Sequence, residues 1–329
     1  TYGGLSYYQN GQIKPFEANS KLQNNRIRSV FYDKKTDNLW IGSSQGLHCY
    51  TSEKEMLIYG DTELGNANIM FTKPTSKGLA IGTNGGGLLF YKEGEFDIIT
   101  TQRGLSGNVV FDIYEDEKNN IWVSTNAGLT LIQGEKTTIF RANNGFNSNV
   151  IFQTLDDLEG RLWFTCNKSV FYFEKQELLD FADKKNNELH SHIFTTNDGL
   201  PSNITGVSKG SQTRDGWLLL PCLKGLALIK PTNMELTTTE AKVYIEQVDL
   251  DGQTLEGIEN DSLLSISPEI QHINIYYTAL SYSNPKKITF KYRLYPFEKD
   301  WIETDVREVS YTSLPIGKYT FQLKANNGS

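Results

Sequence analysis

Apolar and polar residues alternate over short runs as far as Lys230, the period of half-buried strands. In NNIWVSTNAGLTLI, residues 119–132, two such runs flank a tight Asn-Ala-Gly turn, which predicts one β-hairpin. The hairpin recurs as DNLWIGSSQGLHCY (37–50), KGLAIGTNGGGLLFY (77–91), GRLWFTCNKSVFYF (160–173) and GWLLLPCLKGLALI (216–229). Its anchors are Trp40, Ala80, Trp122, Trp163 and Leu219, spaced by roughly 41 residues apart from a last interval about 15 longer. The helix-prone insertion EKQELLDFADKKNNELHSH accounts for that excess.

A second motif leads into each hairpin: GLSGNVVFDIYED (104–116), GFNSNVIFQTLDD (145–157) and GLPSNITGV (199–207), with weaker forms at 21–33 and 63–71. Each repeat therefore reads as a loop and four strands. For the third repeat these fall near 108–115, 120–125, 128–133 and 136–140. The clusters DEKNN and DDLEG supply turns. One such unit cannot bury both of its faces, whereas radial stacking buries them and leaves short edges. The period is too long for a β-helix and too regular for a sandwich, so the expectation is a β-propeller. A large Trp on the second strand would pack between blades. Thr1 aligns with Thr125, so the chain is expected to start inside a blade, as a piece of a longer protein, and to hold half a blade plus five repeats. That set would not close a ring of seven unaided: either further blades lie elsewhere, or the final blade borrows the N-terminal strands.

The period stops after Lys230, and PTNMELTTTEAK reads as a linker. Strand-like segments follow: KVYIEQVDL, SLLSIS, INIYYTALSY, ITFKYRLYP, EVSYTSL and KYTFQLKAN. Short strands at this spacing predict an immunoglobulin- or fibronectin-like sandwich. The expected domains are 1–235, a propeller, and 236–329, a sandwich.

FKYRLYPFEKDWIET…REVSYTSLPIGKYTFQLKANNG resembles the Y_Y_Y domain, on Tyr292, Arg293, Leu294, Trp301, Arg307, Tyr311, Leu314, Gly317, Tyr319 and Phe321. The upstream hairpins, with Trp40, Trp122 and Trp163, resemble the two-component regulator propeller. The resemblance covers nearly the whole chain. Ala80 and Leu219 depart from it by replacing the usual Trp, which predicts an under-packed second repeat. No kinase core, receiver or helix-turn-helix follows within the chain. The resemblance implies a periplasmic, non-catalytic input region of a membrane-bound sensor histidine kinase, often hybrid. Its implied ligand is an oligosaccharide from a complex glycan. It also implies a homodimer formed through the sandwich and a membrane connection through a transmembrane helix outside this chain.

Composition narrows the alternatives. The chain has 329 residues, a net charge of −7 and 12% aromatic residues, and it lacks a long basic run, so nucleic acid is not an expected partner. Cys49, Cys166 and Cys222 show no metal or redox spacing. The most apolar stretch, 217–229, is interrupted by Pro221 and Lys224 and is too short to span a membrane. The opening TYGGL is no signal peptide.

Candidate chemistry is sparse, and no cofactor is expected. GTNGGGLLFY leads into a strand and not a helix, so it is read as a hairpin turn and not a phosphate loop. His190 and His192 would share a strand face, but a third metal ligand is missing from the pattern. The acid pairs Glu115/Asp116 and Asp156/Asp157 could suggest glycosidase chemistry. Their repeat-equivalent places point instead to turns. Tyr292, Trp301, Tyr311 and Tyr319 are read as sandwich core. The loop entering the first strand and the turn between the second and third strands share one face of a blade, near the ring axis. That face collects Arg26, Asn84, Arg103, Asn126, Asn167, Lys168 and Lys224, donors suited to sugar hydroxyls or carboxylates. The alternatives are a propeller lyase or glycosidase, and a protein-binding adhesion module.

Overall fold

The structure, a computed structural model, describes residues 3–22, 24–59, 67–167, 169–204, 208–233, 242–258, 262–280 and 288–326. The chain divides into two compact units, residues 1–233 and 234–329.

The first unit is a series of antiparallel meanders. Among the described residues, Ser6–Gln9 and Gln12–Pro15 pair only with each other. Four four-stranded blades follow. The first comprises Ile27–Asp33, Asn38–Ser43, Gly46–Tyr50 and Met56–Ile58. The second comprises Ile69–Thr75, Gly78–Thr83, Leu88–Lys92 and Glu95–Ile99. The third, Val110–Glu115, Ile121–Thr125, Gly128–Gln133 and Lys136–Phe140, lies where the alternation places it. The fourth comprises Gln153–Asp156, Arg161–Thr165, Val170–Glu174 and His192–Phe194. The insertion before its last strand forms the helix Lys175–Ala182, whose Leu178 and Ala182 are buried. The fifth blade has three described strands, Ser211–Gln212, Leu218–Cys222 and Gly225–Ile229. Among the described residues it borrows nothing from the N-terminal pair.

Blades approach one another through their first strands, and large side chains of the second and third strands fill the space between them. Trp122 is fully buried in a cluster with Leu162, Phe164 and Phe173 of the fourth blade and Leu178 of the helix. Burying an indole removes on the order of 200 Å² from water, about 5 kcal/mol before entropic costs. The second blade is not under-packed, contrary to the expectation from Ala80. Ala80 is fully buried, and Phe90 pairs directly with it on the next strand. Paired residues share a sheet face, so Phe90 fills from the third strand the volume that Trp fills from the second. Where the second strand carries Trp122, the third carries the smaller Leu131. Gly128 shows why the turn needs glycine: its φ is +136°, and a Cβ there would lie 2.5 Å from the Phe140 carbonyl oxygen.

The second unit is a sandwich. One sheet runs Gln253–Glu256, Lys242–Leu250, His272–Leu280, Glu308–Thr312, and the other Ile302–Thr304, Thr289–Tyr295, Thr320–Asn326. Val248, Ile275, Tyr277 and Tyr311 of the first sheet meet Phe290 and Leu294 of the second. SLLSIS is not a strand: the sheet edge is already taken by the Gln253–Glu256 hairpin, and Leu263 stands 97% exposed.

Candidate ligand-binding face

The turns between second and third strands do meet the loops that lead into first strands. Within blades, Ser44 N donates to Arg26 O, Asn84 N to Asn68 O, Asn126 N to Val109 O and Leu223 N to Asn203 O, at 2.9–3.1 Å. Between blades, Gly46 N donates to Ala67 O, Gly85 and Gly87 N to Asn108 O, and Ile151 N to Thr125 O. A seam of backbone bonds therefore runs along one face from the first blade to the fourth. It brings the Asn84 and Asn126 turns together at Val109.

The side chains expected on this face divide into two groups. Arg26, Asn84, Arg103, Asn126, Asn167 and Lys224 are all exposed, and Lys168 lies outside the described residues. Arg103, in the connection to the third blade, is spent on the fourth strand of the second: its Nη1 donates to Asp97 Oδ1 and Ile98 O, both at 2.5 Å. Asn126 Oδ1 accepts from Val109 N at 3.3 Å and stabilises its turn. The backbone of Lys224 is held by Ser202 Oγ at 2.9 Å, which leaves its ammonium projecting.

Sequence reasoning missed a polar group along the first strands. Asp112 is fully buried, with Lys73 Nζ of the second blade 2.6 Å from its Oδ1. Lys209 Nζ, leading into the fifth blade, donates to Phe111 O at 2.8 Å and Phe152 O at 2.9 Å. Loss of hydration pulls the Lys209 ammonium below the usual lysine range; Asp112 opposes that shift and Lys73 adds to it. The available signal was Asp112 itself, a charge at an inward position of FDIYED.

The acid pairs have two distinct jobs. The second acid is a latch within its blade. Asp157 accepts from Glu159 N, Arg161 N, Arg161 Nε and Trp163 Nε1 at 2.7–3.1 Å. Asp116 holds Lys118 N, Asn120 and Trp122 Nε1 in the same way. The first acid faces the preceding blade, because neighbouring strand residues point to opposite faces. Glu115 accepts from Ser76 N, and Asp156 accepts from Tyr114 Oη at 2.6 Å. None of these four carboxylates lines a pocket among the described residues. His190 pairs with Glu177, and His192 stacks on Tyr172 with ring centres 4.7 Å apart.

In the sandwich, Tyr311 is buried and Tyr292 and Tyr319 pack against its core. Trp301 departs from the expectation: it lies outside that core, between Arg293 at 4.7 Å and Lys324 at 4.4 Å, because its planar face suits two cations better than a packed interior. Those three residues border an open groove of about 610 Å³.

Comparison with known proteins gives this geometry a context. Residues 21–45 and 104–127 match the two component regulator propeller family, and residues 281–329 match the Y_Y_Y domain. A histidine kinase, P4, from Formosa agariphila is 21% identical over 347 aligned residues, covering 99% of this chain and 22% of that protein. The extracellular domain of the hybrid two component system BT3049 from B. thetaiotaomicron superposes with a TM-score of 0.59 at 17% identity, over 99% of this chain and 50% of that one. PorZ, a surface component of the type-IX secretion system of Porphyromonas gingivalis, gives 0.53 at 12% identity, over 99% and 49%. The chain thus spans half or less of the length of these relatives.

Proposed function

We propose that this chain, which carries two-component regulator propeller repeats followed by a Y_Y_Y domain, is an extracytoplasmic ligand-sensing region of a sensor histidine kinase. The ligand is an oligosaccharide from a complex glycan, and the region performs no catalysis itself. The succession of propeller repeats and Y_Y_Y domain in one chain carries this reading. It is supported by the place of the acid pairs Glu115/Asp116 and Asp156/Asp157, which serve turns and blade contacts.

On this reading the propeller gathers the ligand at its turn face through Asn84, Asn126, Asn167 and Lys224, and the sandwich pairs with its twin in a periplasmic homodimer anchored by a transmembrane helix. Ligand would shift two dimer arrangements only through different affinity for each. Calorimetric titration of defined oligosaccharides against the complete ectodomain tests this. At least one glycan class should bind saturably, and alanine at Asn84 and Lys224 should weaken it. The absence of binding by every glycan in the panel overturns the reading.

A further inference from the structure

The three tryptophans on second strands are not equivalent. Trp122 and Trp163 give their indole N–H to the turn acids Asp116 and Asp157, at 3.4 and 2.9 Å. In the first blade the corresponding acid is Asp33, but its two oxygens take Lys35 N at 2.9 Å and Thr36 Oγ1 at 2.8 Å. Trp40 is only 5% exposed, and among the described residues its Nε1 donates to no acceptor. It is not sealed from solvent either.

The cause is hairpin length. Phe31 pairs with Trp40, whereas Tyr114 pairs with Trp122 and Leu155 with Trp163, so the first blade's turn is one residue longer. In the second blade Lys73 pairs with Ala80, one residue shorter. Between this long turn and this short one a crevice of about 620 Å³ opens, at the end of the blades opposite the turns between second and third strands. Its walls are Trp40, Tyr59, Tyr91 and Phe31. Trp40 lies 5.0 Å from Tyr91 and 5.7 Å from Tyr59, ring centre to ring centre. Its rim mixes charges of both signs, Asp33 and Glu93 with Lys35 and Lys92.

We infer that this crevice is a binding site for a neutral pyranose ring. Ligand sites are largely apolar concavities of roughly 300–1,000 Å³ with a few polar groups that set orientation. A pyranose has an apolar C–H face for the aromatic walls and hydroxyls that both donate and accept. A hydroxyl oxygen supplies the acceptor that Trp40 Nε1 lacks, and the mixed rim answers hydroxyls better than a net charge of either sign. The inference rests on the glycan reading above and places a sugar contact away from the turn face.

The test uses the five tryptophan indole N–H resonances of the ¹⁵N-labelled chain, with that of Trp40 assigned by its loss in Trp40→Phe. Methyl glucoside, galactoside, mannoside and xyloside are titrated, with phenol and indole as the aromatic arm. One pyranoside should shift the Trp40 resonance saturably and leave the other four in place. Leu57, 43% exposed on the crevice wall, allows a blocking variant that leaves Trp40 intact. Leu57→Trp should weaken that shift by at least about ten-fold, or 1.4 kcal/mol. If no pyranoside moves the resonance, or only phenol or indole does, the inference fails. Saturable oligosaccharide binding by the complete ectodomain with no pyranoside shift at Trp40 overturns the crevice and leaves the sensing reading standing. A saturable pyranoside shift at Trp40 with no oligosaccharide bound by the complete ectodomain supports the crevice and overturns the sensing reading.

Discussion

At the scale of single residues, the molecule spends its acids on backbone order. Asp157 is 2% exposed and satisfies two amides, a guanidinium and an indole at once. Removing one partner of a buried charged pair costs about 3–5 kcal/mol, since the remaining charge loses its compensation. Asp157→Ala should therefore cost about that much in urea unfolding, while Asp33→Ala, at a solvated turn with a free indole nearby, should cost about 1 kcal/mol or less. The acid pairs were legible as turn chemistry because they recur in register. Their division into latch and inter-blade tie was not, because it depends on which face each carboxylate leaves from and on what the next blade presents there. The same limit applied to Arg103, whose guanidinium reads as a free donor in TQRGLSGN until the preceding strand supplies Asp97.

At the scale of elements, the blade is a volume shared between adjacent strands. Trp122 faces Leu131 and Ala80 faces Phe90, a large and a small residue in opposite order. Ala80→Trp alone overfills this seam and should destabilise by about 1–3 kcal/mol. Adding Phe90→Leu recreates the third-blade pair and should restore most of the loss, measured as the coupling in a double-mutant cycle. Hairpins, period and the inserted helix were readable from alternation and turn residues. Phe90's compensation was missed because the repeat was read along the second strand only. SLLSIS was mistaken because apolar alternation shows that a segment can form a strand, and not whether an edge is left for it to join.

At the scale of the whole molecule, the buried imidazoles link stability to pH. Burial lowers the pKa of His192, stacked on Tyr172, and of His48 below the ordinary histidine value. As pH falls below about 6.5, the unfolded chain takes up these protons first. Stability is therefore full above that value and declines as pH falls through the unfolded pKa toward the lower folded one. Denaturant midpoints should drop between pH 7.5 and pH 5, and His192→Phe, which keeps the ring stack, should make that slope shallower. An unchanged slope would place the linkage elsewhere. The succession of the two domains was legible from motifs such as TNAG and FKYRLYP. The Lys209 contact was not, because it joins positions |i−j| of 98 and 57 apart through the first strands of other blades.

The hairpins also carry a count. Where acid and tryptophan stand six positions apart, as in Asp116–Trp122 and Asp157–Trp163, the indole is latched and the seam is shut. Where they stand seven apart, as in Asp33–Trp40, the latch misses and the seam gapes. A scaffold of this kind can gain or lose a pocket by one inserted residue in a surface turn, with no change to any wall. Binding capacity in such proteins is then a matter of arithmetic along the turn, and it can be surveyed by ruler before any side chain is compared.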